Sequence, residues 1–302
     1  MMHDSPITYI EPLFRPPSEA RSLIFQITNG CSWNKCTYCD MYTQPQKKFS
    51  VKPEADVLKE IVWAGRHLAG ARRVFLADGD AMSLSVRRLL NILKAIREHL
   101  PQVDRVSSYC SSFNLRNKSV EDLRTLHEAG LKLIYMGAES GDDFVLDSIA
   151  KGDTYAGTVA ALNQLREAGI KRSVMIINGV GGKHFSEQHA LNSARLANET
   201  QPEYLSSLVI NHPHGEARFR AGYEKNGGHY QQLDQHALFK ELRTFVGALE
   251  LEQTIFRSDH ASNQLVLKGV LGKDKQALLT QIDTAINAPE QAPLRPVWIR
   301  PF

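Results

Sequence analysis

Cys31-Ser-Trp-Asn-Lys-Cys36-Thr-Tyr-Cys39 is the stretch from which the rest of this chain is read. The chain has only four cysteines in 302 residues, and three of them fall inside these nine positions. Such crowding argues for a shared ligand. A structural zinc site closes with four Cys or His side chains, usually in two pairs, and no fourth residue of suitable spacing stands near these three. Three thiolates suit an iron–sulfur cluster that leaves one iron open, and an open iron is a place for chemistry. The competing readings are a zinc site completed by a distant His, and unligated thiols. A disulfide framework fits poorly, because the chain is too long and too poor in cysteine to be a stapled secreted domain.

Working outward, the apolar run Leu23-Ile-Phe-Gln-Ile27 precedes the cysteines and breaks at Asn29-Gly30, a strand that gives way to a loop. Downstream, Pro53 opens a helix with Leu58, Ile61, Val62 and Leu68 on one face, ending at Ala69-Gly70. Val74-Phe-Leu-Ala77 is a short buried strand that stops at Asp78-Gly-Asp80. A helix over 85–100 and a strand over 106–109 follow. Ser119 caps the next helix with Asp122 as its capping-box partner. That helix closes at Leu126-His-Glu-Ala-Gly130 and runs straight into the strand 131–136; the same join recurs at Leu165-Arg-Glu-Ala-Gly169 before the strand 170–177. With Gly70 this makes three joins of helix, Ala-Gly and strand, each Gly placed to end its helix in the left-handed conformation. A helix over 186–197 and a strand over 205–210 complete six strand positions.

Repeated units of this kind build a parallel sheet wrapped by helices. The expected fold is α/β: a partial (β/α)6 TIM-like barrel over 20–217, after an N-terminal arm at 1–19 and before a small α+β extension at 218–302 that covers it. That extension reads as a loop at Asn226-Gly-Gly228, helices over 235–249 and 273–286 with a strand-like Gln264-Leu-Val-Leu267 between them, and an extended, proline-rich tail from Pro293. In a parallel barrel the loops after the strands build the active site, because every strand points its carboxyl end at one face. The cysteine loop, Asp78-Gly-Asp80, Cys110, Glu139-Ser140, Asn178-Gly179 and His212 all lie at such ends.

At this point the chain resembles the radical S-adenosylmethionine enzymes. The family carries three closely spaced cysteines after its first barrel strand. This chain departs in having four residues, Ser32 to Lys35, between the first two cysteines where three are usual; added length in a flexible loop costs little closure entropy. The resemblance implies a 4Fe–4S cluster held by Cys31, Cys36 and Cys39, with S-adenosylmethionine on the fourth iron. It implies that Gly79 and Asp80, in the place of a glycine-rich acidic segment, receive the methionine amino group, although Asp78 stands where the first Gly is usual. Tyr38 falls where a ring lies against the adenine. Tyr135-Met-Gly-Ala-Glu139-Ser140-Gly141 resembles the branch that includes the elongator-like and MiaB-like tRNA-modifying enzymes, which places Glu139 and Ser140 on the ribose and methionine portion. Ile177 and Gly179 match the segment on which the adenine rests.

Each of these residues also has a plainer reading: Asp-Gly-Asp is an ordinary turn after a strand, Tyr38 an ordinary core tyrosine, and Ser140 or Asp142 a helix cap. Cys110, the cysteine left over, is either a small apolar filler or, at the barrel mouth, a hydrogen-atom donor to a substrate radical. His212 and His214 flank Pro213 and are candidate substrate-orienting or acid–base groups.

Composition sets the outer limits. Hydrophobic residues make up 42% and charged residues 23%, the profile of an ordinary globular protein rather than a disordered one. The net charge of +3 permits an anionic substrate or RNA without requiring either. No apolar stretch is long enough to span a bilayer, and a reduced-thiol centre belongs in the cytoplasm. With no second cysteine cluster and no room for a cobalamin domain before the barrel, the expected partners are a small-molecule substrate and an external one-electron reductant of flavodoxin or ferredoxin type, with RNA as the second choice of substrate. The resemblance implies reductive cleavage of S-adenosylmethionine to a 5′-deoxyadenosyl radical that abstracts hydrogen from the substrate; a non-catalytic iron–sulfur electron-transfer or redox-sensing protein is the alternative class.

Overall fold

A computed structural model describes residues 5–212 and 215–296. In chain order its strands and helices are β1 (Leu23–Gln26), β2 (Thr28–Asn29), β3 (Ser50–Val51), α1 (Glu54–His67), β4 (Arg73–Ala77), α2 (Val86–His99), β5 (Arg105–Tyr109), α3 (Val120–Glu128), β6 (Leu131–Glu139), α4 (Asp143–Ser148), α5 (Tyr155–Glu167), β7 (Lys171–Asn178), α6 (Gly182–Thr200), β8 (Tyr204–Val209), α7 (Ala217–Lys225), α8 (Gln235–Ala248), β9 (Ile255–Arg257), β10 (Lys268–Val270) and α9 (Leu271–Asn287). Eight of the strands form one mostly parallel sheet, and β2 pairs with β3 in a separate two-stranded ribbon. The fold class is α/β, a partial TIM-like barrel.

The chain gathers into two compact units. One comprises the residues up to Asn34 together with Met41–Met136 and Asn163–Arg172; the other comprises Lys35–Asp40, Gly137–Leu162 and the residues from Ser173 onward. In the first unit β1, β4, β5 and β6 lie side by side and parallel. Val74, Phe75, Leu76 and Ala77 are all buried, as a parallel strand covered on both faces must be. Ser85 caps α2 by accepting the Arg88 N–H, and Ser119 and Asp122 form the expected capping box on α3. In the second unit β7, β8 and β9 run parallel and β10 closes antiparallel on β9. There α6 packs on α8 and α8 on α9.

Several expectations change. The six strand positions become eight, because β9 and β10, from the C-terminal stretch, continue the ladder. The strand expected at Gln264-Leu-Val-Leu267 is not one. Leu265 and Leu267 are buried there, but Ser258 Oγ takes their backbone groups, donating to the Leu265 carbonyl and accepting the Leu267 N–H at 2.8 and 2.9 Å. On α1 the buried face is Val57, Glu60, Ile61 and Ala64. Glu60 holds a core position because Lys52 pairs with it and the Thr8 N–H donates to it, while Leu58 and Val62 turn toward a shallow depression shared with Pro6 and Trp63. Gly130 and Gly169 take positive φ, +122° and +80°, but Gly70 does not: α1 has already ended at His67. Strand β6 runs three residues further than expected, carrying Glu139 itself. Helix α7 was not anticipated.

Candidate active site

In the first unit the site begins where the chain leaves β2 through Gly30 into Cys31. The N–H of Ser32, the next residue, donates to Asp80 Oδ2 at 3.2 Å. Asp80 is fully buried, and its other oxygen, Oδ1, has no hydrogen-bond partner among the described residues. A buried carboxylate oxygen left unmatched is costly, and a donor-bearing cation would satisfy it. Asp78 has the opposite environment: it pairs with the buried ammonium of Lys47 and accepts from Gln26 Nε2, Gly30 N and the Tyr42 hydroxyl at 3.2, 3.3 and 3.2 Å. The Tyr42 ring lies where a side chain on Gly79 would stand. Cys110 is buried just past β5, its thiol 3.2 Å from the Ser111 carbonyl. Nearby, Lys118 Nζ donates to the carbonyls of Met82 and Asn114 at 2.8 and 3.0 Å, and burial lowers its pKa.

The second unit holds the other half of the cysteine loop. The N–H of Cys39 donates to the Cys36 carbonyl, Thr37 N donates to Ile149 O, and Arg218 of α7 donates to the Lys35 carbonyl at 3.1 Å. The Tyr38 hydroxyl donates to Glu139 Oε1 at 3.1 Å, and Lys151 Nζ lies 3.3 Å from the same oxygen. Burial pushes the Cys36 thiol up while Lys151 opposes it; burial also works against the Lys151 charge, but Glu139 and Cys36 outweigh that and raise its pKa. The Lys151 cation thus partly offsets, without reversing, the burial that disfavours the Cys36 thiolate.

Glu139, at the end of β6, adopts a left-handed φ of +66°. Ser140 is buried; its Oγ accepts the Asp142 N–H at 3.0 Å and lies 2.8 Å from His189 Nδ1, while Asp142 caps α4. Ile177 belongs to an apolar cluster with Val180, Ile210, Tyr223 and Tyr230, and Tyr38 packs against that cluster. Gly179 has φ +87°, and a Cβ there would press on Leu238 and Ile210, so only glycine fits. His212 sets its ring edge-on to Phe219 at 4.7 Å, and burial lowers its pKa. His214 lies outside the described residues.

The structure therefore brings Asp80 to the cysteine loop in one unit, and Tyr38, Glu139 and the Ile177 cluster to it in the other. Lys151, His189 and Glu241 were not singled out as site residues. Nothing in the local pattern marks His189 or Glu241. Among the described residues no group of three or more His, Cys, Asp or Glu surrounds a point as ligands of a single ion do. A cluster spreads its thiolates over separate irons. The orphaned Asp80 oxygen is an acceptor of the kind an ammonium needs.

No helix among the described residues is long and apolar enough to cross a membrane. The Radical SAM superfamily matches residues 25–197. Among curated proteins the chain is 23% identical over 182 residues to the heme chaperone HemW of Bacillus subtilis (strain 168), covering 58% of this chain and 47% of that one. It is 25% identical over 171 residues to the 4'-phospho-dehydrooxetanocin synthase of Priestia megaterium, covering 52% and 23%. The chain thus spans about half or less of these relatives. Among solved structures, coproporphyrinogen III oxidase (HemN) from Escherichia coli matches with a TM-score of 0.56 at 19% identity, over 75% of this chain and 52% of that one, a likeness of fold.

Proposed function

Because the chain belongs to the radical SAM superfamily, matched over residues 25–197, we propose that it is an enzyme that reductively cleaves S-adenosylmethionine at a 4Fe–4S cluster. Cys31, Cys36 and Cys39 hold the cluster through three thiolates. Once bound, cluster and cofactor supply a 5′-deoxyadenosyl radical that abstracts hydrogen from a substrate. The observation that carries this reading is Asp80, which grips the backbone beside Cys31 with one buried oxygen while the other has no partner among the described residues.

Asp80 Oδ1 accepts a hydrogen bond from the methionine ammonium, with the Gly79 backbone beside it. Tyr38, Ile177 and Gly179 form the apolar seat for the adenine. Glu139, held by the Tyr38 hydroxyl and Lys151, and Ser140 serve the ribose and methionine portion. Cys110 and His212 are the candidates for the substrate side. Residues 20–217 act as the catalytic barrel, and 218–302 as an extension whose β9 and β10 continue its sheet. The resemblance of the Tyr135–Gly141 segment supports an elongator-like or MiaB-like branch, with the longer cysteine spacing as a variant.

The substrate we favour is a small molecule rather than RNA, in keeping with a net charge of only +3 and with two relatives whose names refer to small molecules. An external one-electron donor and a cytoplasmic location complete the reading. The test is anaerobic reconstitution with iron and sulfide, then reductant and S-adenosylmethionine: 5′-deoxyadenosine forms. Protein with a full cluster that releases none sinks the proposal. The likeness to HemW favours a second reading, a heme-binding chaperone, which a heme titration with no cofactor cleavage would support.

A further inference from the structure

Two side chains outside the proposed cofactor contacts hold those contacts in place. His189, on α6, is buried. Its Nδ1 lies 2.8 Å from Ser140 Oγ, and the ring also hydrogen-bonds the backbone of Ile177. One imidazole thus joins the end of β6 to the end of β7. Glu241, on α8, is buried as well. One of its oxygens accepts the Gly179 N–H and the other accepts the Ser186 hydroxyl, each at 2.5 Å, while His189 Nε2 lies 3.7 Å from the first. Helix α8 grips the same loop a second time, its Leu238 carbonyl accepting Asn178 Nδ2 at 3.1 Å. Beside these groups is a cavity of about one water's size, lined by Asn178, His189, Ser207 and Glu241. Asn178 Oδ1 is buried there and without a partner among the described residues.

We propose that His189 and Glu241 are positioning residues for S-adenosylmethionine: His189 fixes Ser140 and Ile177 relative to each other, and Glu241, from a helix beyond the family match, fixes Gly179. This rests on the reading above, in which Ser140, Ile177 and Gly179 meet the cofactor. The chemistry suits the task. Ser140 Oγ accepts from Asp142 and donates to a neutral His189, which leaves the imidazole N–H for Ile177 and one oxygen lone pair facing elsewhere. The Gly179 backbone needs an acceptor at a φ that a regular strand does not supply, and Glu241 provides it. The nearby ionisable groups are His189 itself, Asp142 ahead of α4, Tyr223 on α7 and Tyr230 in the segment leading to α8.

The test measures equilibrium binding of S-adenosylhomocysteine, together with iron content and melting, on cluster-loaded wild type and on His189→Phe, Glu241→Leu and Glu241→Gln. The Phe and Leu variants keep their iron, since neither residue touches the cysteine loop, but bind the nucleotide about tenfold more weakly or worse. Glu241→Gln, whose amide can still accept from Gly179 and face Ser186, stays within about threefold. Ser140→Ala added to His189→Phe costs little more than either alone, because the two act as one contact. If His189→Phe fails to fold, His189→Asn, which retains a partner for Ser140 but not for Ile177, carries the same expectation of weakened binding. Folded, iron-loaded Phe, Asn or Leu variants with wild-type affinity overturn the proposal. So does a Gln variant as weak as Leu. Cluster-loaded wild type that fails to bind the nucleotide overturns instead the reading of Ser140, Ile177 and Gly179 as cofactor contacts.

Discussion

Lys47 and Asp78 form an ion pair in which neither side chain reaches solvent. Asp78 gathers three further donors around that pair, and Lys47 also donates to the Ile10 carbonyl at 2.9 Å. Removing one partner of such a pair strands a charge in the interior. Lys47→Met is therefore expected to cost about 3–5 kcal/mol, read by urea denaturation at neutral pH. Adding Asp78→Asn removes the stranded charge and recovers a large part of it. A single variant within 1 kcal/mol of wild type, by the usual spread for surface substitutions, would show that the pair is not what holds the loop.

Asp80 separates cofactor binding from cluster assembly. Asp80→Asn keeps an acceptor for the Ser32 N–H but removes the negative charge, so iron content should be unchanged. Affinity for S-adenosylmethionine should fall by roughly tenfold to a hundredfold, the worth of a hydrogen bond to a charged group. Equilibrium dialysis on the reconstituted protein measures it. Equal affinities in wild type and variant would remove Asp80 from the binding site.

The four cysteines should divide three to one. Cys36→Ala is expected to abolish the brown colour and the iron of reconstituted protein, whereas Cys110→Ala, buried and hydrogen-bonded to its own neighbour, should retain both. Turnover of Cys110→Ala then decides its other role. Loss of product with 5′-deoxyadenosine still released marks a hydrogen donor to the substrate; ordinary turnover marks a core filler.

The parts of this molecule that could be read from sequence are those encoded over short separations. The Ser119–Asp122 box and the left-handed Gly130 and Gly169 each need only neighbouring residues, and each is where the residues suggested. Asp78 was read as a substitute for glycine in a cofactor loop, but it is engaged by Lys47, 31 positions earlier in sequence, a separation along which no periodicity signals a partner. Glu60 on the core face of α1 is the same case, since its burial depends on Lys52 and Thr8. Helix α7 buries only Phe219 and Tyr223, too few apolar positions to announce a helix. The buried His189 and Glu241 gain their meaning only when α6 and α8 meet over the end of β7.

That same pair makes a pH prediction with opposing signs. Burial raises Glu241 from 4.5 to about 7, so the fold takes up a proton more readily than the unfolded chain. Its contribution is fully present below pH 4.5 and is lost as pH rises through 7. Burial lowers His189 from 6.5 to about 4, so its contribution is present above 6.5 and is lost as pH falls through 4. Each shift corresponds to about 3 kcal/mol, and between pH 4.5 and 6.5 the two slopes cancel in the wild type. Each single variant should expose the slope of the other residue. Glu241→Gln gains stability as pH rises from 4.5 to 6.5 and exceeds the wild type at pH 8, while His189→Asn loses stability over the same rise. Urea denaturation at pH 5, 6, 7 and 8 resolves the two slopes. Parallel curves for wild type and Glu241→Gln at every pH would mean that the carboxyl is not held apart from water as the structure has it.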